Sequence, residues 1–363
     1  MTARRPVTVR GAMIVVVNIM IGVGILTLPR EVAAAAGPDS VPATLLGAIP
    51  VVLSLAALNA LYPWLQGHRL DQGLAALVGR PAARLLLLAY AVYFFTFAAI
   101  IARAFAEAFS ANVLLNTPVE AILLPMVFAA TYLVHHRTVT FMRTIEMIFP
   151  VLVTTLILLA VATMGRVNMI YVQPRAAVGL APLLQGAGVS LFAYSGYTVY
   201  LFLLPEMEDR PRRRMPWLVA LLVGLIYAMV VFSAVGTFGL EEVQRITWPT
   251  IELVKVTEIP GRVLERLESA FLAVWVTAVF TTVGPGLFAA AKALQAVLGL
   301  ADHRVLAPAA LPLLYVVALL APNYAAVASL LDRLGWTGLV MEAMVPLVLW
   351  LLARRRGRSA WAA

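Results

Sequence analysis

Two glycines interrupt the first apolar segment of the sequence, because Gly22 and Gly24 lie two residues apart and Pro29 follows. In a helix interior, glycine costs about 1 kcal/mol and proline about 3 kcal/mol relative to alanine. Each backbone group freed in hydrocarbon adds a desolvation penalty. Secondary transporters tolerate such interruptions where they line a cavity, and the freed groups bind small polar substrates there. The run therefore predicts a broken helix with binding chemistry. The alternative is a close helix crossing that needs small residues.

A second interruption is predicted in the sixth apolar segment, at Ala193-Tyr194-Ser195-Gly196-Tyr197. Broken helices offer free N–H groups where one half begins and free carbonyls where the other half ends. A zwitterion needs both, so the pair of interruptions favours an amino acid over a sugar or a lipid. Amides near the first break would bind the carboxylate, and carbonyls of both breaks would bind the amine.

The candidate ligand-binding residues come from both interruptions and from the third segment. From the first break and its continuation we expect Ile21, Gly22, Val23, Gly24, Ile25 and Thr27. From the second break we expect Phe192, Tyr194, Ser195, Gly196, Tyr197 and Tyr200, and from the third segment Tyr93 and Phe97. For each aromatic residue taken alone, ordinary packing is the alternative.

Five further residues carry polar groups inside apolar segments. Thr281 and Thr282 could complete a cation site with carbonyls of the first helix, although buried threonines commonly bond back to their own helix. Arg103 and Glu107 are one turn apart, a spacing typical of an ion pair and, as the alternative, of a proton relay. Glu342 is the deepest carboxylate without an evident partner.

The composition indicates an integral membrane protein, since 62% of the residues are hydrophobic and 12% are charged. The chain contains no cysteine, which excludes disulfides and thiolate chemistry. Its four histidines have no metal-ligand or triad spacing, so we expect no enzyme, no metal and no cofactor. The basic residues are scattered among loops, which argues against nucleic acid as a partner. Membrane lipids are the expected surroundings, and the arginine clusters could also contact anionic lipids.

Apolar runs of about 20 residues, long enough to cross a bilayer, predict ten transmembrane helices. They cover about 9–36, 41–65, 82–115, 118–135, 140–165, 183–205, 215–239, 263–298, 305–322 and 336–353. With the N-terminus in the cytoplasm, the inner loops carry more than twice as many Lys and Arg residues as the outer loops. By the positive-inside rule, both termini are predicted to be cytoplasmic.

Each half of the predicted chain opens with an interrupted helix. We therefore expect a single all-α transmembrane domain over 1–363, in which residues of about 8–165 and 183–353 form two inverted repeats of five helices each. The polar connection between Glu241 and Arg262 holds a predicted short surface helix at Trp248-Pro249-Thr250 and the residues after it. This segment could act as a lid, and a passive loop is the alternative.

The run from Asn18 to Arg30, the run from Trp248 to Leu253 and the Glu265-Arg266-Leu267-Glu268 motif resemble the spore-permease family. This family comprises the B subunits of spore nutrient germinant receptors, within the amino acid–polyamine–organocation superfamily. The resemblance implies a leucine-transporter-like fold with helices 1 and 6 broken. It also implies amino-acid sensing that triggers germination, A and C receptor subunits as partners, and a place in the spore inner membrane.

One alternative function is an amino-acid permease that moves its substrate with a proton or a sodium ion, and another is a channel for water or ions through the same pathway. Proton-coupled members of the superfamily often carry a lysine in helix 5, and the fifth apolar segment here has none. This departure weakens the case for coupling through a lysine.

Overall fold

The computed structural model describes residues 7–22, 24–173, 179–256 and 267–356. Val23 and the opening of the eighth predicted span, including Glu265 and Arg266, lie outside these ranges, as do several arginines near both termini. Within the described ranges, α-helices make up nearly all of the regular structure.

The first apolar segment forms two helices rather than one. Helix α1 covers Val9–Met20, and the Thr8 hydroxyl begins it by accepting a hydrogen bond from the Gly11 amide at 3.1 Å. Helix α2 covers Gly24–Ala36. The helical path thus stops at the glycines, where the sequence predicts the interruption.

The next helices follow the predicted spans closely, with short helices between them. They are α3 (Ser40–Leu46), α4 (Ile49–Leu65), α5 (Leu70–Val78), α6 (Arg80–Asn112), α7 (Val119–Val134), α8 (Thr138–Thr163) and α9 (Met169–Val172). Proline in the first turn helps to begin the long helix α6, since its ring presets the helical backbone and the missing N–H would have no partner there.

The second half of the chain also opens with an interrupted helix. Its elements are α10 (Leu180–Ser190), α11 (Val199–Leu203), α12 (Met215–Phe238), α13 (Leu240–Arg245), α14 (Pro249–Val256), α15 (Leu267–Leu298) and α16 (Ala307–Leu319). Residues 191–198 form turns between α10 and α11, so the predicted second break is also present at its expected position.

The last predicted span, 336–353, begins too late. Helix α17 covers Tyr324–Gly338 and continues through a π-helical segment, Leu339–Met344, into α18, Val345–Arg356. The start at 336 is wrong because Asp332 and Arg333 make the first turns look polar, while the Asn323 side chain caps them by accepting from the Ala326 amide at 2.9 Å.

Among the described residues, six helical stretches are long and apolar enough to cross a membrane. They are Gly24–Leu65, Arg80–Asn112, Thr138–Arg166, Met215–Phe238, Ala273–Leu298 and Tyr324–Arg356, and shorter apolar helices occupy Val9–Met20, Val119–Val134 and His303–Leu319. Large apolar side chains such as Leu85, Phe128, Met147 and Trp217 are exposed on the outside of the bundle. In water such a surface would drive association, whereas in a bilayer it faces lipid.

The interior of the bundle surrounds the two interruptions. Helices α6 and α15 pack along much of their length, α1 packs against α8, α12 and α15, and α10 packs against α2 and α3. This arrangement brings the ends of four half-helices, α1, α2, α10 and α11, to the middle of the fold.

Candidate binding site at the two interrupted helices

The two interruptions are in direct contact. A Cβ atom built on Gly24 would lie 2.8 Å from the backbone Cα of Ala193, and one built on Gly22 would lie 2.5 Å from Oγ1 of Thr282 in α15. Glycine is needed at both positions because any side chain would overlap a neighbour. The glycines therefore permit close approach as well as an interruption, and the two interpretations of the sequence are compatible here.

The hydroxyl of Tyr227 joins the two interruptions. This tyrosine lies on α12 and is fully buried. Its Oη is 2.5 Å from the carbonyl oxygen of Met20, the last residue of α1, and 2.7 Å from that of Ala193 in the second break. A phenol has a single proton to donate, so it can donate to only one of the two carbonyls at a time. The two breaks thus direct carbonyl oxygens to one point.

Other carbonyls and amides of the first break have partners within the fold. The Gly22 amide donates to the Met20 carbonyl at 2.9 Å, and Thr282 donates to the Asn18 carbonyl at 3.3 Å. The side-chain oxygen of Asn18 is buried and has no hydrogen-bond partner among the residues that the structure describes. A buried acceptor left in this way is uncommon in native proteins, and it lies on the last turn of α1, beside the break.

In the second break, Gly196 has a backbone conformation that favours glycine, with φ of +103°. A Cβ atom there would also lie 2.7 Å from the Ile19 side chain. The Gly196 amide points at the carboxylate of Glu342 and lies 2.8 Å from each of its two oxygens. The amide at the start of α11, from Thr198, is 3.5 Å from Oε2.

Glu342 is buried in the π-helical segment between α17 and α18. Besides the two amides, the phenol of Tyr93 on α6 donates a hydrogen bond to its Oε1. The Tyr90 phenol donates to the carbonyl of Met341 at 2.7 Å, which ties α6 to the same segment. π-Helical turns are rare and are often found at functional sites. Here the turn places a carboxylate against the free amides of an interrupted helix.

The predicted aromatic residues occupy different places around the breaks. Tyr93 and Tyr197 lie beside Glu342. The Tyr194 phenol donates to the Thr44 carbonyl at 2.9 Å, and the Tyr200 phenol donates to Asn59 Oδ1 at 2.8 Å, so both hydroxyls are directed towards other helices. Phe97 is buried against Gly286 of α15.

The remaining predicted ligand-binding residues lie at or near the breaks. Ile21, Ile25 and Thr27 are buried, Phe192 is half-buried, and the Ser195 hydroxyl donates to the Leu191 carbonyl at 3.2 Å. The predicted cation-site residues Thr281 and Thr282 both donate to the Ala278 carbonyl, at 3.0 Å and 3.1 Å. These bonds match the alternative of back-bonding to their own helix, while the contact of Thr282 with Asn18 links α15 to α1.

The predicted lid is a short helix that packs over α2. Helix α14 is largely buried, and the Thr250 hydroxyl donates to the Ile25 carbonyl at 2.7 Å, one residue after the break. A surface cavity of about 470 Å³ lies beside α14 and is lined by Asn112, Trp248 and Glu252, among others. The cavity thus lies at the end of the bundle where α6 ends, at Asn112.

A second cavity, of about 340 Å³, lies at the opposite end of α6, beside the end of α11. Its walls include Asp71, Pro205, Glu206, Lys292 and Gln295, and Glu206 forms an ion pair with Lys292. Phe202 also lines it, and its ring packs edge-on against those of Tyr90 and Phe94 at 5.7 Å and 5.8 Å.

Arg103 and Glu107 form an ion pair on α6, with 2.6 Å between a guanidinium nitrogen and a carboxylate oxygen. Arg103 is buried, and within the described part of the chain its Nε has no hydrogen-bond partner. The geometry agrees with the predicted pair. Farther along the same end of the bundle, Lys255 of α14 contacts both Glu252 at 2.8 Å and Asn112 at 3.1 Å.

Sequence reasoning did not single out Tyr227, Asn18 or the hydroxyl of Thr250 as partners of the breaks. Tyr227 adds a single hydroxyl to a mostly apolar helix. The residues next to it in the sequence give no sign that this hydroxyl contacts the breaks. Asn18, in contrast, is an amide in an otherwise apolar helix just before the glycines, and that position was a usable signal.

The fold is similar to that of solved proteins that include a manganese transporter. The chain superposes with a TM-score of 0.62 on MhsT, solved in complex with L-phenylalanine, with 13% identity over 94% of this chain and 87% of that one. A manganese transporter mutant from Eremococcus coleocola also gives 0.62, with 13% identity over 93% of this chain and 78% of the other. At this identity the likeness establishes the fold.

The family model for spore germination proteins of the spore-permease type matches residues 6–327. The chain therefore belongs to the spore-permease family. It is 25% identical to spore germination protein YndE of Bacillus subtilis over 97% of this chain and 98% of that protein. It is 29% identical to spore germination protein A2 of the same organism over 74% of each chain. Membership in a germination family and a transporter fold are thus established together.

Proposed function

We propose that this protein is the amino-acid-binding membrane subunit of a spore germinant receptor and has no catalytic role. The observation that carries the proposal is the meeting of the two interruptions, whose Met20 and Ala193 carbonyls are directed at the single hydroxyl of Tyr227. An ammonium group has three donors and can serve both carbonyls. An amino acid entering between the breaks would take over these acceptors.

The proposed ligand carboxylate would bind amides of the first break, from Gly22 to Ile25. Because Gly24 and Ala193 are in contact in the described conformation, binding requires the breaks to separate. A site that opens by separating two half-helices couples ligand binding to a change of shape, which is what a sensor needs.

The proposed architecture is a single domain of ten spans in two inverted halves, with both termini in the cytoplasm. The six long apolar stretches and the three shorter apolar helices are compatible with this count when the interrupted α10–α11 segment is added. The charge distribution of the loops supports the orientation.

The proposed partners are the A and C subunits of a germinant receptor, in the inner membrane of the spore. Support comes from the family and from relatives named as spore germination proteins, including A2 and B2 of Bacillus subtilis. The proposal assigns nutrient recognition to this subunit and leaves the downstream signal to the assembly.

The second candidate function is a permease that moves an amino acid with a proton or a sodium ion. The transporter fold favours it. Threonine hydroxyls of α15 beside α1, Thr281 and Thr282, remain the proposed cation ligands, although both donate to Ala278 in the described conformation.

The test is a thermal-stability screen of the purified protein against each common amino acid, followed by flux measurements in proteoliposomes. A ligand that binds only the folded state raises the unfolding temperature by mass action. Binding without accumulation supports the receptor, and accumulation driven by a proton or sodium gradient supports the permease. If no amino acid changes the unfolding temperature and none is taken up, both functions are rejected.

A further inference from the structure

We propose that Glu342 is a proton-binding site that latches the second interruption: its ionised carboxylate holds the break closed, and proton uptake releases it. The inference concerns a property of this fold that exists without ligand. The proton-binding role of Glu342 can therefore be tested independently of the amino-acid site.

The carboxylate is surrounded by donors. The Gly196 amide contacts both oxygens at 2.8 Å, the Thr198 amide approaches Oε2 at 3.5 Å, and the Tyr93 phenol donates to Oε1. An ionised carboxylate only accepts hydrogen bonds, whereas a protonated one must also donate. The arrangement therefore fits the anion, and bonds to a charged acceptor are about twice as strong as neutral ones.

No described Lys, Arg or His forms an ion pair with Glu342. Its titratable neighbours are tyrosines: Tyr90 and Tyr93 from α6, and Tyr197 from the second break. On the packed elements α4 and α11 there is no charged residue. Along α17 and α18, the charged residues lie about nine or more positions from Glu342, and along α6 they lie about nine or more positions from its partner Tyr93. At 1.5 Å per residue, this separation is roughly 13 Å or more.

A buried carboxylate without a cation is costly inside a membrane and defaults to a functional role, and binding a proton is one such role. Proton uptake here removes the charge that the two amides stabilise, and it adds an O–H that needs an acceptor. The contact between the π-helical segment and the start of α11 is thereby weakened. Because Gly196 belongs to the break itself, the loss of this contact frees the break to move.

The natural absence of cysteine makes a direct test possible with a single introduced thiol. Ser195→Cys is nearly isosteric and places a thiol in the buried second break, next to Gly196. The matched control is Ser233→Cys, a buried serine on α12 that bonds to Thr163 at 2.9 Å, away from Glu342. Purified protein is labelled with a maleimide between pH 7.5 and pH 5.5, and every rate is divided by that of the unfolded sample, which corrects for thiolate formation.

We expect the corrected labelling of Ser195→Cys to rise at least threefold as the pH falls, while Ser233→Cys stays constant. Adding Glu342→Gln, which has the same shape and no charge, should give high labelling at every pH. Equal pH profiles with and without Glu342→Gln, or no pH response in the parent, would overturn the proposal.

Tyr93→Phe provides a second, milder variant in case Glu342→Gln does not fold. It keeps the carboxylate and removes one donor, so labelling at pH 7.5 should exceed that of the parent and should still increase on acidification. Labelling no higher than in the parent at pH 7.5 would overturn the latch. None of these measurements uses an amino acid, so a failed ligand screen leaves their interpretation unchanged.

Discussion

Gly24 of α2 packs on the backbone of Ala193, so closely that a Cβ atom on the glycine would lie 2.8 Å from the alanine Cα. Between Gly24, the first residue of α2, and the second break there is thus room only for the hydrogen atom of the glycine. The described conformation is therefore closed at the point where a ligand would bind.

Gly24→Ala should destabilise this contact by about 1–3 kcal/mol, the usual effect of overpacking a well-filled interior. The matched control is Gly188→Ala on α10, where a Cβ atom would meet nothing within 4 Å and where alanine is the better helix former. Thermal unfolding in detergent should show a lower midpoint for the first variant and an unchanged or higher midpoint for the second. Equal midpoints would contradict the close packing of the breaks.

Tyr227→Phe removes the hydroxyl that bonds the carbonyls of Met20 and Ala193. Leaving a buried carbonyl without its donor costs about 1–3 kcal/mol, so we expect a lower unfolding temperature. Tyr132→Phe, on the exposed face of α7, should leave it unchanged. If an amino acid is found that binds, it should recover more stability in Tyr227→Phe than in the parent, since its ammonium supplies the missing donors. A smaller recovery would argue that the ammonium binds elsewhere.

Breaking the pair of Arg103 and Glu107 should be expensive, whereas exchanging the two residues should not. Glu107→Gln leaves the buried guanidinium of Arg103 without its carboxylate, and such losses cost about 3–5 kcal/mol. The double exchange, Arg103→Glu with Glu107→Arg, should recover most of the unfolding temperature. If the exchange restores stability but abolishes the germination response, the pair acts as a proton relay rather than as a structural ion pair.

Thr250→Val should loosen helix α14 over the first break. Valine keeps the shape of threonine but cannot donate to the Ile25 carbonyl, which the hydroxyl now reaches at 2.7 Å. A thiol is introduced at the buried position 27 by Thr27→Cys. Its labelling by a maleimide added from the side of α14 should increase severalfold when Thr250→Val is also present. Thr155→Val is the control, because the Thr155 hydroxyl is exposed and bonds within its own helix. Equal labelling in both variants would exclude α14 as a lid.

The interruptions could be predicted from the sequence because glycine and proline leave a local signal. Gly22 and Gly24 mark the first break, and Gly196 in a run of small and aromatic residues marks the second. These signals depend on backbone conformation, which is encoded within a few residues. The start of α17 was missed for the same reason, since the polar Asp332 and Arg333 locally resemble a loop.

The partners of the breaks could not be predicted, because they come from distant parts of the chain. Glu342 was recognisable as a buried carboxylate, but its contact with Gly196 spans 146 residues. The carbonyls that meet at Tyr227 are brought together by the packing of α1, α10 and α12. The predicted roles of Tyr194 and Tyr200 depend on rotamers, and their hydroxyls bond to Thr44 and Asn59.

The π-helical segment Leu339–Met344 makes the site sensitive to chain length as well as to residue identity. A π-turn holds one residue more than an α-turn. Deleting a single exposed residue there, such as Val340, would let the segment revert to an α-helix that keeps α18 in phase with α17 but changes the direction of the side chains within the segment, Glu342 among them. Glu342 would still carry a carboxylate, but the carboxylate would no longer face the Gly196 amide. A one-residue deletion in this segment should therefore disrupt the contact as much as removing the acid itself.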